Sequence, residues 1–292
     1  MVLPFSFFSV IINCFNGEKY LREAIDSVYA QTYEDWEIIF WDNHSSDCSA
    51  DIAMSYDHKL KYFLAKEHTS LGVARNLALQ EANGDYVAFL DSDDKYLPDK
   101  IKVQLAAMQE SDAILSFSGW VKIDEQGKDL KTYKLNRYIG NMFESLLLKY
   151  IVNFQTVMVD SKYLKKNAIS FDEELKFSPD HNLVLRIAFK APIMSLNSVL
   201  AKYRTHSNSL SATRRQDKYD DLQYTLNFFE NSGAATSLKN FKSIAEQVKF
   251  RMLINDYRND SDYKRLFFVL LRYILVRIKF LFKSFFLIIR SI

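Results

Sequence analysis

A chain of 292 residues that is 48% hydrophobic and 25% charged has a globular composition, which excludes disorder as its main state. With 7 glycines and neither a G-x-G-x-x-G nor a G-x-x-x-x-G-K-[ST] pattern, a glycine-loop dinucleotide site and a P-loop are excluded. Residues 263–292 hold seven of the 38 basic residues and none of the 36 acidic ones, so a mildly acidic body, for which no nucleic-acid partner is expected, carries a strongly basic tail.

The amino terminus, MVLPFSFFSVIINCFN, is apolar but has no basic leader and no small-residue cleavage site, so a signal peptide is not expected. Phe7 to Ile12 reads as a buried strand that Asn16-Gly17 ends. Leu21, Ala24, Ile25 and Val28 then recur at helical spacing, which predicts an amphipathic helix from Glu18 to Gln31. Trp36 to Trp41 is a second strand, closed by the polar run Asp42-Asn43-His44-Ser45-Ser46-Asp47, with Ser45 or Ser46 as the N-cap of a further helix. Lys61 to Leu64 is a weaker strand, Gly72 to Asn83 a helix bearing Arg75 and Asn76, and Tyr86 to Leu90 another buried strand. That strand runs into Asp91, Ser92, Asp93 and Asp94, three carboxylates in four residues that call for a positive counter-charge such as a hard divalent cation. Alternating strands and helices predict a parallel sheet with helices on both faces, whose ligands gather at the carboxyl ends of the strands. Cys14 to Asn16, Asp42, Asp91 and Asp93 all stand at such ends and are expected to line one crevice. The two cysteines, Cys14 and Cys48, make no spaced ligand set and read as packing residues of a reducing compartment.

SVIINCFNGEKYLREAIDSVYAQTYEDWEIIFWDNHSSD followed by GVARNLALQEANGDYVAFLDSDDKYLP resembles a family 2 glycosyltransferase of the GT-A fold, a Rossmann-like α/β architecture, over roughly residues 7–210. The resemblance implies inverting transfer of a sugar from a nucleoside diphosphate to an acceptor hydroxyl. It places Asp42 on the base or ribose, Asp91 on the ribose, Arg75 near the phosphates or base, and Mn²⁺ or Mg²⁺ on Asp93. Cys14 stands where many relatives have a Thr near the base, and the turn after the second strand reads Asp-Asn-His-Ser where relatives often have Asp-Asp-Gly-Ser. Downstream, Asn153 to Asp160 is strand-like. Phe177-Ser178-Pro179-Asp180 leads into an amphipathic helix at the place of the family's Glu-Asp pair, which implies Asp180 as catalytic base. A carboxylate at a helix N-terminus is favoured in its ionised form. Tyr203 to Ser211 resembles the segment that closes these catalytic domains, with His206 expected at the metal and Arg204 at the diphosphate.

The catalytic domain is therefore expected over 1–212, a donor half to about residue 98 and an acceptor half after it, followed by a helical appendage at 213–262. In 263–292, Arg265, Arg272, Lys279, Lys283 and Arg290 fall on one stripe of a helix and interrupt every apolar run. A peripheral helix on the cytoplasmic membrane surface is expected, the alternative being packing on the protein or in a homodimer interface. That location suggests a lipid-linked oligosaccharide, a lipid A core or another cell-surface glycan as acceptor, and a UDP-hexose or UDP-N-acetylhexosamine as donor. The competing class is a catalytically silent module of the same fold that binds membrane or polysaccharide, against which the retained carboxylates speak. A sugar-nucleotide pyrophosphorylase would need a glycine-rich basic loop after the first strand, and Asn13 to Lys19 has one Gly and one Lys.

Overall fold

The structure is a computed structural model that describes residues 6–207 and 215–259. The predicted basic helix at 263–292 lies outside the described residues, as does the stretch 208–214 that includes the expected domain boundary. Among the described residues no helix is long and apolar enough to cross a membrane.

The chain opens with β1 (Phe8–Cys14), α1 (Glu18–Tyr29), β2 (Trp36–Asp42), α2 (Ser49–Met54), β3 (Leu60–Leu64), α3 (Leu71–Glu81) and β4 (Tyr86–Asp91). β1 and β2 are apolar almost throughout and buried along nearly their whole length, the pattern of strands covered on both faces. α1 buries Leu21, Ala24, Ile25 and Val28 against Val10, Ile12, Ile38 and Phe40. The second half holds β5 (Lys95–Tyr96), α4 (Lys100–Gln109), β6 (Leu115–Ile123), β7 (Asp129–Tyr133), β8 (Tyr138–Gly140) and α5 (Phe143–Leu148). A 3₁₀ turn (Phe154–Thr156), β9 (Met158–Asp160), α6 (Ser161–Lys166), α7 (Pro179–Lys190) and β10 (Ile193–Arg204) follow, then α8 (Arg215–Asn231), α9 (Ala234–Ser237) and α10 (Phe241–Asn259).

One sheet runs in the order β3-β2-β1-β4-β9-β6-β10-β5, with β7 beside β6 and β8 beside β10. Strands β3, β2, β1 and β4 are mutually parallel, as the alternating pattern predicts. The sheet is not parallel throughout: β9 runs antiparallel to both β4 and β6, and β5 antiparallel to β10. The strand-like reading of Asn153 to Asp160 is likewise only half met, because its first part coils into the 3₁₀ turn and only β9 joins the sheet. The chain passes from β1 outward to β2 and β3, then returns to place β4 on the other side of β1. That reversal leaves a crevice at the carboxyl ends of β1 and β4. Register makes those ends level: Cys14 lies opposite Asp42, and Asn13 opposite Asp91.

The chain forms two compact units, Met1–Phe228 and Phe229–Ile292. The first therefore takes in the opening turns of α8, which the sequence assigns to the appendage. In the second, α10 buries Phe241, Ile244, Ala245 and Val248, and Gly233, at φ +84°, breaks the chain between α8 and α9.

Lys100, at the start of α4, is fully buried, and its amine makes no hydrogen bond to the described residues. The face of Tyr96, 4.3 Å away, is its polar neighbour. Burial lowers the lysine to about 7. Because the folded value lies below the unfolded one, folding carries a penalty that is complete below pH 7 and vanishes as pH rises past the unfolded lysine range. The variant Lys100→Met is expected to be more stable than the parent at pH 7, with the gain shrinking between pH 7 and 10 in urea titrations. An equal difference at every pH would contradict this.

Candidate active site

The crevice is built from the last residues of strands and the first turns of helices. Asp42 ends β2 with 1% of its surface exposed, accepting from the Ser45 amide at 2.8 Å and from the Tyr62 hydroxyl at 2.8 Å. Beside it His44 adopts φ +70°, the left-handed conformation that suits the Gly often found there, so the turn keeps its shape without the usual residue. Asn43 accepts from the backbone and hydroxyl of Thr69 and donates to the Thr69 carbonyl, which ties this turn to the loop leading into α3. Ser45 and Ser46 do not cap α2, whose N-cap is Cys48. They bond instead to Asn16, Ser45 Oγ accepting from its amide and the Ser46 amide donating to its side chain. This clasps the β1 and β2 turns together.

Arg75 sits on α3 with 4% of its side chain exposed and lies between two carboxylates. Its Nη2 is 2.9 Å from Asp91 Oδ1 and its Nη1 3.9 Å from Asp180 Oδ1. The guanidinium lies over Phe154 at 4.6 Å and Phe171 at 5.6 Å. The second oxygen of Asp91 accepts from the Gln155 amide. Asp180, at the first turn of α7, is pushed above the usual carboxylate range by burial, opposed by the positive charge of Arg75. Burial thus outweighs the helix N-terminus that the sequence suggests would favour the ionised form. The Tyr150 ring meets that of His181 at a tilt, centroids 4.0 Å apart, and its buried hydroxyl has no hydrogen-bond partner among the described residues.

The acidic run after β4 separates into three environments. Asp91 faces Arg75, whereas Asp93 Oδ2 lies 2.9 Å from His206 Nε2. Asp94 turns inward and accepts from the Arg204 amide at 2.6 Å. Burial, and then the negative charge of Asp91, push Asp93 upward; Asp94 rises well above its usual range through burial and the charges of Asp93 and Asp91. Asp93 and His206 fit a divalent cation whose other ligands are diphosphate oxygens and water, since such ions commonly take one or two protein carboxylates. Among the described residues no group of three or more His, Cys, Asp or Glu side chains is assembled for a metal.

One expected contact, Arg204, is not where the sequence suggests. Arg204 is buried and donates to the carbonyls of Asp93 and Glu125, each at 2.9 Å, pairs with Glu23 at 3.0 Å and covers the Tyr20 ring at 4.3 Å. It buttresses the acidic loop from beneath rather than facing the diphosphate. Cys14 is 2% exposed, its thiol donates to Ser49 Oγ at 3.4 Å and it packs against Gly17. The sequence reading missed two others, Gln155 and Asp221. Gln155 comes from a turn mistaken for strand. Phe15, half exposed and within the stretch the sequence places in the crevice, meets the His68 ring at a tilt, centroids 4.0 Å apart, beside the Asp42 turn. Asp221 holds the approach to Asp180 from α8.

The sequence matches the family model "Glycosyl transferase family 2" over residues 9–167, and the chain belongs to that family. An uncharacterized glycosyltransferase of Rickettsia felis is 36% identical over 68% of this chain, a match that covers 34% of its own length, so the chain spans about a third of that relative. The Bacillus subtilis protein TuaG, named for teichuronic acid biosynthesis, is 31% identical over 70% of this chain and 82% of its own. The crystal structure of S. aureus TarS in complex with UDP-GlcNAc superposes with a TM-score of 0.67 at 22% identity, over 86% of this chain and 73% of that one. The likeness establishes the GT-A fold.

Removing the charge of Arg75 leaves two carboxylates facing one another. Arg75→Met is expected to lose about 2–3 kcal/mol at pH 7, the low end for a broken buried pair because Asp91 is 38% exposed on its side chain. With the cation gone Asp180 loses the charge that opposes its upward shift and rises further in the folded state. The loss is therefore full where Asp180 is ionised and shrinks as pH falls and it takes up a proton, which denaturant titrations at pH 7 and pH 4.5 check.

Proposed function

We propose that this protein is an inverting glycosyltransferase that moves a sugar from a nucleoside diphosphate, UDP in our reading, to a hydroxyl of a lipid-linked or cell-surface glycan. The observation that supports it most is the Arg75 bridge, which joins a carboxylate at the end of β4 to one at the start of α7 across the crevice. Nucleotide-binding architecture and a positioned base meet there.

The nucleotide is proposed to lie over the ends of β1 and β2, with Asp42 accepting from the base and Phe15 offering an apolar face beside it. Asp91 is assigned to the ribose. Asp93 with His206 would hold Mn²⁺ or Mg²⁺, which when bound neutralises charge on the departing diphosphate. In the transfer, Asp180 takes the proton of the acceptor hydroxyl as that oxygen bonds to the anomeric carbon. The bond to the diphosphate breaks on the opposite face and its electron pair leaves with the diphosphate. Because burial raises Asp180, the rate is expected to fall on acidification at a higher pH than an ordinary carboxylate would give. UDP-N-acetylglucosamine is the first donor to try, since TarS binds it. A surface-polysaccharide acceptor rests on the name of TuaG, and the membrane location on the basic sequence of 263–292.

Calorimetry with UDP, GDP and CMP, with and without Mn²⁺, tests the donor site. We expect metal-dependent binding of UDP that is lost in Asp93→Ala, while Asp180→Asn binds UDP like the parent. No binding of any nucleotide would favour a silent module of this fold. Nucleotide binding without any effect of Mn²⁺ or of Asp93→Ala would remove the metal assignment.

A further inference from the structure

We propose that Asp221, on the opening turns of α8, is a positioning residue that sets the entry to α7 and thereby aims Asp180; the inference rests on the reading of Asp180 as base. Pro179 opens α7, but among the described residues the N-cap residue Ser178 makes no side-chain cap hydrogen bond. In its place three successive backbone amides converge on one distant carboxylate. The Lys176 amide donates to Asp221 Oδ1 at 3.1 Å, and those of Phe177 and Ser178 donate to Oδ2 at 2.7 Å each. The Ser178 hydroxyl approaches the same oxygen at 3.4 Å. Asp221 is 4% exposed, so water does not compete for these bonds, and the two short ones have the length of charge-assisted contacts.

The same face of α8 grips α7 one turn further on. Asn182 donates to Thr225 Oγ1 at 3.2 Å, both side chains being buried, and the Phe228 ring lies 5.4 Å from the Arg186 guanidinium. Asp221, Thr225 and Phe228 follow the i, i+4, i+7 spacing of a single helix face. On α7, at about 100° per residue, Asn182 and Arg186 lie about 200° and 240° round from Asp180. α8 therefore holds α7 from behind while Asp180 faces Arg75. The amides that Asp221 binds end at Ser178, two residues before the base, so the direction in which Asp180 leaves the backbone is set there. A catalytic group displaced by about 1 Å can lose on the order of 100-fold in rate.

The test uses the full chain and its Asp221→Asn, Asp221→Glu, Asp180→Asn and doubly substituted Asp180→Asn/Asp221→Asn forms. Nucleotide release from UDP-, GDP- and CMP-sugars is measured beside hydrogen exchange of residues 170–186. Asp221→Asn is expected to lower kcat by about 10- to 100-fold with donor KM within about twofold of the parent, and Asp221→Glu to restore part of the rate. The double variant is expected to be no slower than Asp180→Asn alone, because Asp221 acts only through Asp180. A further slowing in the double variant, a rise in KM at unchanged kcat, or a parental rate in Asp221→Asn would overturn the proposal. Full activity in Asp180→Asn would instead sink the base assignment. If no sugar nucleotide is turned over, or if Asp221→Asn does not fold and Asp221→Glu replaces it, exchange decides. Protection lost only around 176–182 supports the clamp, and unchanged protection there refutes it.

Discussion

The guanidinium of Arg75, almost sealed from water between Asp91 and Asp180, is the constraint on which the crevice depends. A buried guanidinium calls for carboxylate partners, and here the pairing spans the two halves of the first unit. Asp91 belongs to the end of β4, in the parallel half of the sheet, and Asp180 to the start of α7, in the mixed half. The rings of Phe154 and Phe171 complete the sleeve, so the planar, stackable guanidinium is not exchangeable for a lysine ammonium. Its charge also opposes the burial that raises Asp180.

Around this bridge the acidic loop is divided rather than pooled. Three carboxylates in four residues would repel if they shared one space. The turn sends Asp91 to Arg75, Asp93 to His206 and Asp94 to the Arg204 amide. Arg204 underlies the loop from the far end of β10, so a residue more than a hundred positions away sets where Asp93 points. The crevice is thus held in shape by groups that need not touch a ligand: Arg204 below the acidic loop, Asn43 behind the Asp42 turn and Asp221 behind α7.

The strand-end carboxylates were legible because each closes an apolar run, and a run of that kind followed by Asp is a local signal. Asp42, Asp91 and Asp93 all stand at the ends where the alternating pattern put them. Arg204 and Cys14 both stand beside a motif and both turn inward. A residue next to a motif faces either the crevice or the interior, and spacing alone does not tell which; burial of the guanidinium and of the thiol decides it. Gln155 and Asp221 escaped because their partners are 64 and about 45 residues away in the chain, and neither lies on a periodic pattern. The antiparallel insertion of β9 was equally silent, since three residues carry too little pattern to specify direction.

Membership in glycosyl transferase family 2 and the GT-A architecture place the ligand end of the molecule at the carboxyl edge of β1, β2 and β4. The central claim is that one crevice there brings a sugar nucleotide and the carboxylate of Asp180 together. A crystal structure of the full chain grown with UDP-N-acetylglucosamine and Mn²⁺ addresses it most directly. The account predicts the uracil beside Asp42 and Phe15, the diphosphate toward Asp93 and His206, and the sugar between Arg75 and Asp180. A donor bound elsewhere, or lying in the crevice with its sugar turned away from Asp180, would contradict it.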